Sequence, residues 1–303
     1  MNNTKYKVAI ALAVLNGEQW LEEQLRCLLT QINIDLTLYI RIEPATNDDS
    51  YNIVESFMEQ YSNIIIVPSE ENSGSAAINF INLMKYIDLE RYDYLSFADQ
   101  DDIWLTNKIL EAIRCLNKSS SDGYSSNLTA FDEKSSFVVD KCQPQRELDY
   151  LFQGASAGCT YVLTTKLALF IKTIITDNYD KLPQRPSHDW LIYAISRSHG
   201  FRWVMDPRSF IFYRQHDSNV RGAVKNFSDY LVRLNVSKSG WYKQHILNMM
   251  PFLSNSSEEL KVLEHLKRSS FLDRILLILN INNFRRRLKE RLFLLTILLF
   301  NMM

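Results

Sequence analysis

The chain has 303 residues, enough for one large domain with an appendage or for two modest domains. Its 34 basic and 35 acidic residues give a net charge of -1, which excludes a global field for nucleic acid and leaves the electrostatics to local clusters. Four widely spread cysteines (Cys27, Cys115, Cys142, Cys159) without a CxxC pair exclude a disulfide scaffold, argue against zinc and favour a reducing compartment, where sequons such as Asn127-Leu128-Thr129 are incidental.

Val8 to Leu15 is an unbroken apolar run that leads into Asn16-Gly17-Glu18 with no small-residue cleavage site, so it reads as a strand and not as a signal peptide. Trp20, Leu21, Leu25, Leu28 and Leu29 then recur at helical spacing, and Asp35 to Ile42 is strand again. A helix over about Tyr51 to Tyr61, a strand Ile64 to Val67, a helix Ser75 to Ile87 and a strand Tyr92 to Phe97 continue the series. This alternation predicts an α/β fold with a doubly wound, mostly parallel sheet. In such sheets ligands bind beyond the carboxyl ends of the strands, here the polar loops Leu15-Asn16-Gly17, Glu43 to Asp49, Asn72-Ser73-Gly74 and Asp99 to Asp102.

After a helix around Leu105 to Leu116, the Ser-rich stretch Ser119 to Ser126 reads as a loop. Phe152 to Thr160 is small and Gly-bearing, which lets a ligand approach the backbone, and is followed by Tyr161-Val162-Leu163 and a helix near Lys166 to Thr176. Ser187-His188-Asp189-Trp190 opens an apolar helix, and Phe210 to Tyr213 leads into Arg214-Gln215-His216-Asp217-Ser218-Asn219. From Asn226 onward the chain reads as helical and peripheral, so residues 1–225 are expected to form the catalytic domain and 226–303 a helical extension.

No stretch reaches the roughly 18 to 20 apolar residues needed to span a bilayer, so the body reads as soluble. Arg285-Arg286-Arg287 and Lys289-Glu290-Arg291 precede the apolar run Leu292 to Phe300, after an earlier set Ile275 to Leu279. That pattern suits a peripheral membrane contact with basic residues at anionic headgroups; the plainer reading is a terminal helix packed on the domain or a partner.

Three carboxylates in the run Asp99-Gln100-Asp101-Asp102 repel one another at the end of a strand and call for a counter-charge. Asp99 and Asp101 have the spacing to hold Mg2+ or Mn2+ against phosphate oxygens, with Asp102 supporting them or capping the next helix without any metal. Asp189 is a candidate general base held at a helix N-terminus, or a helix cap. Arg214, Gln215 and His216 can meet a diphosphate, or are ordinary exposed polar residues. With no P-loop, GxGxxG, GxSxG or HExxH pattern, and no RNA-binding aromatic signature, metal-assisted group transfer is the class that remains.

Taken in order over roughly residues 7 to 222, these motifs resemble the family-two glycosyltransferases of the A-type nucleotide-sugar fold, and within them the bacterial rhamnosyltransferase-like branch of surface polysaccharide synthesis. The matching pieces are Asn16-Gly17-Glu18 with Leu21-Glu22-Glu23-Gln24-Leu25, Asn72-Ser73-Gly74 with Asn79-Phe80, Phe97 to Trp104, Gly158-Cys159-Thr160, His188-Asp189-Trp190, and Tyr213 to His216 with Asn219. The resemblance implies an inverting single displacement: a nucleotide-diphosphate sugar held through a divalent cation near Asp99 and Asp101, an acceptor hydroxyl deprotonated by Asp189, and a leaving diphosphate stabilised by the metal and Arg214. It also implies substrate contacts from Asn16, Glu43, Asp48, Asn72, Gly74, Asp99, Trp104, Gly158, Cys159, His188, Trp190, Arg214 and His216. The acceptor it implies is a growing O-antigen or capsule glycan, lipid-linked in many relatives, at the cytoplasmic face of the cell membrane.

One loop departs from the family pattern. Where the family usually has Asp-Asp-Gly-Ser after the second strand, this chain has Glu43-Pro44-Ala45-Thr46-Asn47-Asp48, and Val14-Leu15 replaces the usual Thr-Tyr before Asn16. Pro44 removes a backbone donor and the missing Gly restricts the turn, which puts base recognition and donor preference in question. The competing readings are therefore a degenerate protein that binds a sugar nucleotide or glycan without turnover and, less favoured because no phosphate-cradling glycine loop is present, a nucleotidyl or phosphoryl transferase.

Overall fold

A computed structural model describes residues 5–183, 185–216 and 237–302. Asn219 of the last motif, and the expected boundary after residue 225, lie outside the described residues.

Strand β1 (Tyr6–Val14) is apolar from Val8 onward because both of its faces are covered there. Val8, Ile10, Leu12 and Val14 point to one face, where they meet Leu21, Leu25 and Leu28 of α1 (Glu18–Leu29), Val54 and Phe57 of α2 (Ser50–Met58), and Ile109 and Ile113 of α4 (Lys108–Ser119). The small Ala9 and Ala11 point the other way and let α3 (Ala76–Tyr86) come close through Phe80 and Met84. Ser75 caps α3 by accepting the Ile78 N–H.

Strands β2 (Ile34–Ile42), β3 (Ile64–Ile66) and β4 (Tyr94–Ala98) complete a parallel set in the spatial order β3-β2-β1-β4. The chain runs outward from β1 to β3 and then returns to the opposite side of β1, so the topological switch point lies between β1 and β4. Their carboxyl ends carry Leu15-Asn16 and Asp99 to Asp102, which places a crevice at those two loops.

Beyond β4 the sheet becomes mixed. It continues through β8 (Val162–Thr164), β6 (Gly123–Phe131), β9 (Trp203–Arg214) and β5 (Ile103–Trp104), with β7 (Ser136–Val139) paired to β6. Part of the stretch expected as a loop, Gly123 to Ser126, is the start of β6. Ser125 and Ser126 are buried there because their hydroxyls have partners, Ser125 Oγ accepting the Trp203 indole N–H at 3.0 Å and Ser126 Oγ donating to the Asn127 carbonyl at 2.8 Å. Gly123 is required beside them, since a Cβ would collide with the Trp203 ring.

Helices α5 (Asp149–Phe152), α6 (Thr165–Asp177) and α7 (His188–Ser198) cover the α3 face. Four C-terminal helices, α8 (Trp241–Asn248), α9 (Ser257–Arg268), α10 (Phe271–Leu279) and α11 (Leu288–Leu299), extend the same apolar cluster through Ile246, Leu263, Leu277, Phe293 and Ile297. The extension therefore shares its core with the sheet. Arg285 and Arg286, expected at lipid headgroups, are buried: Arg285 Nη2 donates to the Tyr242 hydroxyl at 2.7 Å, and Arg286 donates to Gly154 O at 2.7 Å, Ala155 O at 3.0 Å and Asp149 Oδ2 at 3.1 Å. None of the described helices is long and apolar enough to cross a membrane.

Candidate active site

The loops after β1, β2 and β3 are tied together by the residues expected to meet the nucleotide. Asn16 takes a left-handed backbone (φ 49), and its Oδ1 accepts the Asn47 N–H at 2.9 Å. Asp48 accepts the Glu18 N–H at 2.9 Å and the Ser50 N–H at 3.0 Å, so one carboxylate serves the N-termini of α1 and α2. Desolvation opposes its charge, but the Ser50 hydroxyl together with the Glu18 and Ser50 amides outweighs it and holds Asp48 below the usual carboxylate range. Asn72 Oδ1 accepts the Ala45 N–H at 2.8 Å, and the exposed Gly74 beside it has φ +73, a conformation that favours glycine.

Glu43 is buried, and both of its oxygens are engaged. One accepts from Arg41 Nη1 at 2.8 Å and the other from the Ser73 N–H at 2.7 Å, while Arg41 also donates to Ser73 Oγ, Asn79 Oδ1 and Glu71 O. In this chain Glu43 braces two loops and offers no free carboxylate to a base. The unusual Pro44-Ala45 turn is likewise fixed, through the Ala45 amide.

The acidic run sits across the crevice from these loops. Gln100 clamps it to β1, its Oε1 accepting the Leu15 N–H at 2.7 Å and its Nε2 donating to Leu15 O at 2.9 Å. Half-buried Asp99 has its carboxyl pushed up to about 7, first by desolvation and then by the charges of Asp101 and Asp189. Asp102 is 1% exposed, its carboxyl meets only the Cys159 thiol and the Arg214 backbone, and desolvation followed by Asp99 and Asp101 drives it well above the ordinary value. Ligand atoms of Asp99, Asp102 and the buried Cys159 thiol lie within 4.8 Å of one another.

Asp101 faces the end of β9. His216 Nε2 is 2.7 Å from Asp101 Oδ2, Arg214 Nε donates to Asp101 O at 3.0 Å, and Arg214 Nη2 reaches Glu23 Oε2 at 2.6 Å. The His216 ring stacks on Trp20 of α1 with centroids 4.2 Å apart. Arg214 and His216, some 115 positions from Asp101 in the chain, are thus brought onto the acidic run.

Asp189 lies in the first turn of α7, its Oδ1 accepting the Trp190 N–H at 2.7 Å. Its charge acts on Asp99, so the candidate base and the acidic run share one crevice. His188 packs its ring on Phe80 at 4.4 Å and against Gly158, where any Cβ would collide with it; both residues shape the wall behind Asp189. Trp190 is buried, donating to Tyr150 O at 2.7 Å and lying 4.6 Å from the His245 ring, so it anchors α7 and does not face the crevice. Trp104 is also buried, with the Lys108 amine 3.4 Å over its ring, and cannot offer a face to substrate.

Several neighbours carry no role in the sequence analysis, Tyr213 among them although it opens the last matching motif. Lys108 is 1% exposed and donates to Ser96 Oγ at 2.9 Å, and burial pushes its amine well below the usual lysine range. Tyr213 lies among Asp99, Cys159, Asp102 and Asp101, its phenol pushed up first by burial and then by their charges. Trp20 read as a core residue of α1, because helical spacing alone does not separate it from Leu21 and Leu25. No sequence signal singles out Lys108.

Residues 9–157, which run from β1 through the acidic loop to the glycine-bearing segment, match the family described as Glycosyl transferase family 2. A relative from Shigella flexneri described as dTDP-rhamnosyl transferase RfbG is 34% identical over 292 residues, covering 96% of this chain and 99% of that protein. The chain belongs to glycosyl transferase family 2. An uncharacterized glycosyltransferase of Methanocaldococcus jannaschii, MJ1057, is 21% identical over 82% of each chain. Among solved structures, Staphylococcus aureus TarS 1-349 in complex with UDP superposes with a TM-score of 0.59 at 15% identity, over 94% of this chain and 77% of that one. The mannosyltransferase PcManGT from Pyrobaculum calidifontis in complex with GDP-Man and Mn2+ gives 0.53 at 14%, over 88% and 70%. These two likenesses establish that the glycosyltransferase has the A-type fold expected from its motifs.

Proposed function

We propose that this glycosyltransferase is an inverting enzyme that moves a sugar, rhamnose by its likeness to the Shigella flexneri relative, from a nucleotide-diphosphate donor to a hydroxyl of a surface glycan. The observation that supports the reading is that the charges of both Asp101 and Asp189 act on Asp99 at the crevice between β1 and β4. The residues present fit a divalent cation: burial and then the charges of Asp101 and Asp189 raise Asp99, ligand atoms of Asp99 and Asp102 lie within 4.8 Å of each other, and carboxylate and imidazole donors suit Mg2+ or Mn2+. Asp101 with Asp99 and His216 would hold it, and when bound it supplies positive charge to the diphosphate.

Asp189 accepts the proton of the acceptor hydroxyl, whose oxygen then bonds to the anomeric carbon on the face opposite the diphosphate. The bond from that carbon to the diphosphate oxygen breaks, and the electron pair leaves with the nucleoside diphosphate. Arg214, held beside Asp101, is positioned to meet the charge that develops there. Asn16, Asp48, Asn72 and Gly74 line the loops that would receive the nucleoside, while Glu43 acts behind them by fixing the loop shape. An acid pair, a base and a guanidinium gathered in one crevice favour turnover over binding alone.

The test is transfer from dTDP-rhamnose to a glycan acceptor in the presence of Mn2+. Asp101→Ala is expected to abolish product, and Asp189→Asn to lower kcat by about 10²- to 10⁴-fold, both with unchanged thermal unfolding. Full activity in the Asp101 variant would sink the assignment.

A further inference from the structure

The apolar C-terminal run faces two ways. On α11, Phe293, Leu294, Ile297 and Leu298 are buried in the core, as Leu277 is on α10. The outer face carries Phe271 at 70%, Leu272 at 71%, Leu279 at 72%, Leu288 at 64%, Leu299 at 57% and Phe300 at 72% exposure. Those residues form one surface because the two helices run antiparallel: Arg274, near the start of α10, donates to the Leu298 and Leu299 carbonyls at the end of α11, at 3.1 and 3.2 Å. Phe271 and Leu272 therefore lie beside Leu299 and Phe300, and Leu279 lies toward Leu288. An apolar face of this extent is unusual on a soluble chain and marks a contact surface.

The charge around it selects the occupant. Residues 267–302 hold eight basic and two acidic residues, against a net charge of -1 for the whole chain. Both acids are already engaged, Asp273 with His265 and Arg268, and Glu290 with Arg285. Arg285 and Arg286 are drawn into the interior and Arg287 pairs with Asp140, but Lys267 and Lys289 remain exposed on the helix pair. In a twofold dimer through this face, each basic rim would meet its own copy, and like charges oppose that contact. An anionic bilayer offers the complementary sign together with an apolar layer.

We propose that α10 and α11 form a two-helix foot that seats in the headgroup region of an anionic membrane, with Phe271, Leu272, Leu279, Leu288, Leu299 and Phe300 entering the acyl boundary. Insertion at this depth, about 5–10 Å, needs no spanning segment. The foot is rigidly joined to the catalytic body through Arg286, which holds Asp149 and the carbonyls of Gly154 and Ala155, so docking would fix the crevice relative to the membrane plane. That orientation would serve a lipid-linked acceptor of the kind the family resemblance implies; the docking itself does not rest on the proposed function.

The test is co-sedimentation of the full chain with vesicles of phosphatidylglycerol and phosphatidylethanolamine, and with phosphatidylcholine alone, together with sedimentation velocity in the absence of lipid. The expected result is binding to the anionic vesicles, at least tenfold weaker binding to the neutral ones, and loss of binding in Leu279→Ser/Leu288→Ser with its thermal unfolding unchanged. Absence of wild-type binding, equal binding by that variant, or a dimer that the variant dissolves would each overturn the proposal. No donor or acceptor is present in the assay, so its outcome is separate from that of the transfer experiment.

Discussion

Two carboxylate clusters are drawn into the body of this protein, and they are treated in opposite ways. Asp149 has no exposure, yet its charge is fully answered: Arg286 and Arg197 lie at 3.1 and 3.3 Å, and the Tyr193 hydroxyl donates at 2.9 Å. Asp102 packs almost as deeply, beside half-buried Asp99 and the charge of Asp101, and the buried Lys108 amine donates to Ser96 and lies against Trp104. A buried charge that is paired costs the fold little, whereas one left without its partner costs several kcal/mol. The first cluster is thus a staple between the sheet body and the C-terminal extension, and the second is the one that the proposed function would complete with a cation.

The contrast is broken most directly at the staple. Asp149→Ala leaves Arg286 buried without its carboxylate, and urea denaturation is expected to show a loss of about 3–5 kcal/mol. A change below about 1 kcal/mol would mean that the pair is not structural. At the acidic run the dependence on pH sharpens the difference. The folded pKa of Asp99, about 7, stands above the ordinary 3.8, so the metal-free fold holds that proton more tightly than the unfolded chain. Its contribution to stability is fully present below about pH 4 and is lost as pH rises through 7, so metal-free thermal unfolding should move to lower temperature over that window. Mn2+ has to displace the same proton, and titration calorimetry should give an affinity about tenfold higher at pH 8 than at pH 6. An affinity that does not change with pH would contradict this. The smallest effect is expected for Asp102→Asn, which replaces a carboxyl already pushed toward its neutral form and should shift metal-free stability by less than about 1 kcal/mol in the same urea assay. A loss as large as that of Asp149→Ala would erase the distinction between the clusters.

What could be read from the sequence follows the range of the interactions. The four parallel strands are local statements, continuous apolar runs that need cover on both faces, and they stand where the periodicity puts them. Strand β6 is not local: Ser125 looks like a loop residue until Trp203, 78 positions away, supplies an indole N–H. The triple arginine misleads for the same reason, because the partners of Arg286 lie more than 130 positions back at Asp149, Gly154 and Ala155. The acidic run was legible from its own repulsion. The approach of His216 and Arg214 to it was available only through the order of motifs, and no local pattern separates an outward Trp20 from an inward Trp104 or Trp190. Glu43 shows the remaining gap, since an acid in a binding loop reads as a ligand group until Arg41 is found on one oxygen and the Ser73 amide on the other.

The central claim is that the carboxylates of the Asp99 to Asp102 run form a cation site for a diphosphate, and titration calorimetry of dTDP tests it most directly. Wild-type protein with Mn2+, wild-type protein with EDTA, and Asp101→Asn with Mn2+ would be compared at one pH. The account predicts binding in the first case and at least tenfold weaker binding in the other two. Equal affinity in all three would contradict it.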